Sequence, residues 1–168
     1  MQDSSDARRL MKFMVTSAAC LFFGAVHGVV QVLPPIRAWL NAVGSPYGGP
    51  GRMIDPLAHA HLSVVGGVII FTMGAMYYFV AKILDRPIHS RRMVAHSFWW
   101  TTLGMLGTYG AFMVFGIVEG CLFLSAPDKI DEIHRYYGPV LSLAGSVMTI
   151  GLFVFFANLL LTLRNNAA

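Results

Sequence analysis

At 168 residues, with 56% hydrophobic and only 12% charged side chains, the chain has too few polar groups to cover a water-exposed surface, for which soluble domains carry about 25% charged residues. The formal net charge of +4 arises from 12 Lys and Arg against 8 Asp and Glu. These charges cluster at the ends of apolar runs, so membrane topology accounts for the excess and no nucleic-acid partner is needed.

Read from charge to charge, the sequence contains four uncharged intervals, at 13–36, 56–81, 93–118 and 136–163. Each is longer than the roughly 20 residues a helix needs to cross the hydrocarbon core. Lipid offers no partner for free backbone groups and no barrel-like alternation is present, so the intervals read as helices. The expected fold is all-α: a polytopic, four-transmembrane-helix bundle forming one membrane domain over 1–168, with helices at about 12–33, 57–82, 96–124 and 136–163.

The first helix should run to Leu33, where Pro34 and Pro35 stop it, and Ile36–Leu40 with Trp39 reads as a short interfacial segment. The stretch before Lys12 has no small-residue cleavage site after a short apolar core, so it is read as the start of a span and not as a cleaved signal. The turn-rich loop Gly44–Gly51 is expected to be ordered only by a partner or a cofactor edge. The second helix follows Pro56 and ends at Lys82. A short basic loop from Asp85 to Arg92 leads to the third, whose Trp99 and Trp100 suit an interface. The fourth starts near Tyr136 and ends at Arg164. Helix 1 should pair with helix 2, and helix 3 with helix 4.

An even number of spans puts both ends of the chain on one side. Arg8, Arg9, Lys12, Lys82, Arg86, Arg91, Arg92 and Arg164 fall there, against Arg37, Arg52, Lys129 and Arg135 opposite. The positive-inside bias therefore predicts cytoplasmic termini in a bacterial inner membrane. Cys20 and Cys121 form no C-x-x-C or C-x-x-C-H motif and read as small core residues.

Six histidines remain. His89 and His96 fall on the cytoplasmic side, whereas His27, His59, His61 and His134 fall toward the periplasm. A histidine inside a span is costly unless paired or ligated. His27 lies seven residues before Pro34, roughly 10 Å inside the membrane, and His61 five after Pro56, roughly 8 Å inside. Imidazoles at matched depth on adjacent helices suit the two axial positions of one haem iron. Gly24, Gly28, Gly66 and Gly67 near that level either admit a macrocycle or let the helices pack closely, with the histidines bonding carbonyls. His59 projects about 200° from His61 and addresses a different site. His134 is a further ligand candidate or an ordinary interfacial residue. Glu119, the one acid inside the predicted spans, is a proton relay, a neutralising partner of Arg135, or a snorkelling interfacial acid. Arg52 and Arg135 on the same side suit haem propionates.

Pro56–Gly67 with its His59-Ala60-His61, then Gly74–Tyr78, Asp85–Ser90, Phe98-Trp99, Leu103-Gly104, Gly116–Gly120 and His134–Tyr137 resemble the late helices of haem–copper oxidase subunit I, especially those of cbb3-type oxidases and nitric oxide reductase large subunits. Phe22–Ala25 and Leu33-Pro34 extend the likeness to helix 1, so it covers about residues 18–163. The resemblance implies that His59 holds a high-spin haem and His61 a low-spin haem. It also implies work beside other respiratory subunits, among them a cytochrome c-type protein. The family's helices bearing the non-haem metal ligands and the other low-spin haem ligand have no counterpart here, so a complete terminal oxidase is not expected. His27 departs from the family pattern and suits the missing axial position.

The leading expectation is a b-type cytochrome membrane subunit, carrying one or two haem b groups and passing electrons between a periplasmic redox partner and quinone or another subunit. Two alternatives stand beside it. One is part of a split oxygen or nitric oxide reductase; the other is a noncatalytic assembly or scaffold subunit.

Overall fold

The computed structural model describes residues 4–164, which are helical through almost their whole length, with no strand among them. Helix α1 (Ser4–Val32) is followed by α2 (Pro34–Ala42). Two π-helical stretches, Met53–Ala58 and His61–Ile69, lead into α3 (Ile70–Ile83). After α4 (Arg91–Ser125) come a 3-10 turn at Pro127–Lys129, the short α5 (Ile130–His134) and α6 (Tyr137–Arg164). Four segments are long and apolar enough to cross a membrane: Arg8–Val32, Met53–Ile83, Arg91–Ser125 and Pro127–Arg164.

The element boundaries follow local chemistry. Proline fits the first turn of a helix because its missing N–H would have no partner there, and Pro34 opens α2 immediately after Leu33. The second span starts close to the expected Pro56, because Asp55 just before it keeps extended backbone angles (φ −128°, ψ 109°). The third starts at Arg91, earlier than expected from its charges, since Ser90 caps it by accepting a hydrogen bond from the Met93 amide at 3.3 Å. With 35 residues, α4 is about 52 Å long and projects past the hydrocarbon at its ends.

The helices pair as expected, α1 with the second span and α4 with α6. Small residues make both seams tight. Gly24 lies against Ser63, Gly66 against Cys20, Gly67 against Leu21 and Gly74 against Phe13. In the other seam a Cβ on Gly104 would sit 2.6 Å from the Met148 Cα, and one on Gly151 would sit 3.0 Å from the Thr101 Cα. Where lipid surrounds the protein, such close backbone approach supplies the attraction that apolar side chains alone do not. Between the pairs runs a core of Phe13, Leu62, Met73, Tyr77, Phe98, Met105, Phe155 and Leu159. Its aromatic rings meet edge to face, Phe13 with Phe98 at 5.0 Å and Tyr77 with Phe155 at 5.1 Å. The Tyr77 hydroxyl, fully buried, pairs with the Ser97 hydroxyl at 3.1 Å.

Polar latches close both ends of the bundle. At the Arg8 end, Asn158 of α6 exchanges two hydrogen bonds with the Ser90 backbone, each 3.0 Å, the His89 amide donates to the Thr162 hydroxyl at 3.0 Å, and Arg86 donates to the Thr162 carbonyl. At the other end, Arg37 donates to the Asp55 carboxylate at 2.6 Å, and the Ser45 hydroxyl donates to the same carboxylate at 2.9 Å. The loop Gly44–Gly51 was expected to need a partner or a cofactor to order it; instead its own chain does so. Ser45 N–H donates to the Leu40 carbonyl and Gly51 N–H to that of Val43, both at 3.0 Å. Gly44 and Gly49 supply the positive φ angles (95° and 58°) that this turn requires.

Candidate functional site

Two imidazoles meet where α1 faces the π-helical part of the second span. The His27 ring stands edge-on to His59, with centroids 5.8 Å apart, and edge-on to Tyr109 of α4 at 5.9 Å. Gly28 makes room for this approach, since a Cβ there would meet the His59 Cε1 at 2.9 Å. His61 is directed elsewhere, edge-on to Phe112 at 5.9 Å. The histidine brought to His27 is thus His59, and no direct contact joins His27 to His61. The two-residue spacing separates His59 from His61 around the helix, as the sequence implied.

Gln31 was not anticipated. It lies one turn beyond His27, only 5% exposed, and its amide nitrogen donates to the His27 Nε2 at 3.1 Å and to the Ile54 carbonyl at 3.0 Å. Its signal in the sequence was a polar side chain four residues from a histidine inside an apolar run, the spacing that puts both on one helix face. Tyr109 was likewise missed, because aromatic residues recur throughout these spans.

Each of the three rings keeps one buried nitrogen without a hydrogen-bond partner: Nδ1 of His27, Nδ1 of His59 and Nε2 of His61. Buried polar atoms ordinarily find partners, so three orphaned nitrogens in one region are a donor set in need of an acceptor or a metal centre. Among the described residues no three His, Cys, Asp or Glu side chains converge on one point as a metal ion's ligands. Haem asks less of the protein, which supplies only one or two ligand atoms, and the Nε2 of His61 is free for such a bond.

The glycines decide between the two roles the sequence left open. Gly24, Gly28, Gly66 and Gly67 are filled by Ser63, His59, Cys20 and Leu21 of the facing helix, so they bring the helices together and leave no slot for a macrocycle in that seam. His27, His59 and His61 are all partly exposed.

His134 and Glu119 form a separate centre. Glu119, 2% exposed on α4, has both carboxylate oxygens 3.1 Å from the His134 Nδ1. The His134 ring is half exposed and stacks on Tyr137 at 5.3 Å. Glu119 therefore pairs with His134 and not with Arg135, one of the three roles the sequence left open; the Arg135 guanidinium lies over the Tyr136 ring at 4.8 Å. Arg52 is exposed beside the second span's first turn. The arrangement joins a buried carboxylate to an imidazole that reaches solvent.

No known family model matches the chain. It is 25% identical, over 93% of its length, to the cbb3-type cytochrome c oxidase subunit CcoN1 of Stutzerimonas stutzeri, of which it covers 31%. It is 26% identical, over 64% of its length, to a cytochrome c oxidase subunit 1 homolog of Bradyrhizobium diazoefficiens, covering 22% of that protein. A subunit 1 homolog of Azorhizobium caulinodans is also 26% identical, over 55% of this chain and 20% of its own length. The chain spans less than a third of each of these relatives. It is a multi-pass membrane protein that resembles, through almost its whole length, a region of haem–copper oxidase subunit I.

Proposed function

We propose that this chain is a b-type cytochrome subunit of a respiratory complex in the bacterial inner membrane, passing electrons between a periplasmic redox partner and quinone or a neighbouring subunit. The observation that carries the reading is the pair of unpartnered buried ring nitrogens on the H-x-H stretch of the second span, Nδ1 of His59 and Nε2 of His61, in a chain similar to oxidase subunits. Bound haem b would supply reversible one-electron iron chemistry.

The residues of this chain have distinct parts in that function. His61 offers an unpartnered Nε2 and would hold the haem iron without rearrangement. His27, the proposed second ligand, is held by Gln31 through its Nε2, which leaves the proton of the neutral ring on Nδ1. Ligation through Nε2 thus requires Gln31 to release it, and Gln31 is a positioning residue for that ring. His59, against His27, serves a second haem or the alternative ligand of the first. With the α1 seam closed, a haem held by these residues would need a neighbouring subunit to complete its enclosure. Arg52 and Arg135 are proposed to meet propionates, while Glu119 and His134 exchange a proton with the periplasmic water.

The test is the visible spectrum of the chain purified with its complex. A Soret band and a low-spin α-band, lost or converted to high-spin in His61→Ala and in His27→Ala, are the expected result. An unchanged spectrum in both variants removes the ligand assignment, and the absence of any Soret band makes the chain a scaffold subunit. Stoichiometric carbon monoxide binding to the dithionite-reduced protein, lost in His59→Ala, moves it to the split-reductase reading.

A further inference from the structure

At the end of the bundle opposite His27, His59 and His61, α1 and α4 enclose a cavity of about 450 Å³ lined by Arg8, Arg9, Lys12, Phe13, Val94, Ala95, Phe98 and Trp99. We propose that this cavity binds an anionic phospholipid, with its phosphodiester against Arg8, Arg9 and Lys12 and its acyl region along the α4 wall.

The lining is sorted by depth. Among the described residues, three cations with exposed side chains and no acid form it on the α1 side. The floor is apolar and buried: Phe13 is 1% exposed, Phe98 5% and Val94 6%. Trp99, half exposed, closes one side and carries the Lys12 ammonium 5.7 Å from its ring centroid, a contact that holds the cation over the cavity. Along the axis Arg8 marks the start of the first span, and Trp99 lies about 12 Å beyond the Arg91 start of α4. The cavity therefore runs from a cationic rim at the level of lipid headgroups to an aromatic wall within reach of hydrocarbon.

That sequence of surfaces matches one molecule with an anionic head and an apolar tail. A free phosphate would use the rim and leave the wall wet. The charge fits as well, since basic pockets between spanning helices on the cytoplasmic side attract anionic headgroups, and a volume of this size suits a headgroup with its glycerol.

The experiment measures lipid retained on the purified protein by native mass spectrometry, with phosphatidylglycerol and phosphatidylcholine as probes. Phosphatidylglycerol should bind one per chain and survive delipidation, and the triple variant Arg8→Gln, Arg9→Gln, Lys12→Gln should bind it about a hundredfold more weakly. Lys82→Gln with Arg164→Gln removes two cations outside the cavity and should leave binding unchanged. Ala95→Phe keeps every cation and fills the space, so it should also abolish retention; it serves as the deciding variant should the triple variant fail to fold. Equal loss in both charge variants, equal binding of phosphatidylcholine, displacement by inorganic phosphate, or full retention in Ala95→Phe would each overturn the proposal.

Discussion

Single polar side chains in this protein are held by very few partners, which makes each one consequential. Gln31 bridges His27 and the Ile54 carbonyl, which the His59 amide also reaches, so Gln31→Leu leaves the His27 Nε2 without its donor and should cost about 1 kcal/mol, read as a lowered melting temperature together with an altered low-spin α-band. Glu119 has the His134 Nδ1 as its bonded partner. His134→Ala strands a buried carboxylate and should destabilise by about 1.5 kcal/mol, the low end for a bond to a charged group because His134 is half exposed. Glu119→Gln still accepts from the imidazole N–H and should lose less. Equal melting temperatures for the wild type and His134→Ala would rule out a structural contribution from this pair.

At the scale of whole elements, backbone proximity governs stability. Gly104 and Gly110 are both helical glycines of α4, yet a Cβ on Gly104 meets the α6 backbone while one on Gly110 meets nothing within 4 Å. Gly110→Ala should therefore raise stability by about 0.5–1 kcal/mol through helix propensity. Gly104→Ala should lower it by about 1–3 kcal/mol because α4 and α6 must part. Thermal melts of the two variants moving in the same direction would contradict this account of the seam. Asn158 gives a second check. It is fully buried in an apolar helix, and its amide satisfies both backbone groups of Ser90. Asn158→Leu should leave the Ser90 N–H unpaired, while its carbonyl keeps the Val94 amide, and should increase hydrogen exchange across 84–90.

For the whole molecule, the outer surface is the informative part. Large apolar side chains such as Phe153 (73% exposed) and Leu143 (69%) cover the outer side of α6, as expected for a surface that meets lipid or a neighbouring span. The charge distribution predicts that the Arg8 end is cytoplasmic and the loop Gly44–Gly51 periplasmic. Tyr47 in that loop is 92% exposed, so Tyr47→Cys, in a background with Cys121→Ser, should react with a membrane-impermeant maleimide added to spheroplasts. Labelling only after lysis would reverse the orientation. The partial exposure of His27, His59 and His61 predicts a larger assembly, and a native mass equal to one chain after gentle solubilisation would count against it.

How much could be read beforehand depends on the physics behind each feature. The number of spans, their all-helical character and their pairing follow from the sequence, because lipid enforces long apolar segments with internal hydrogen bonding and short connections make neighbours of consecutive helices. The histidines stood out for the same reason, since a costly group inside an apolar run is visible without coordinates. Only the tertiary structure decided which residues meet. It brought His27 to His59, bound Glu119 to His134 in place of Arg135, ordered the Gly44–Gly51 loop from within, and used Gly24, Gly28, Gly66 and Gly67 to close a seam. Those outcomes turn on the rotation of each helix about its axis and on separations of an ångström or two between backbones. Hydrophobic length fixes neither quantity, because around most of a spanning helix every face is apolar and only side-chain fit against the next helix selects one.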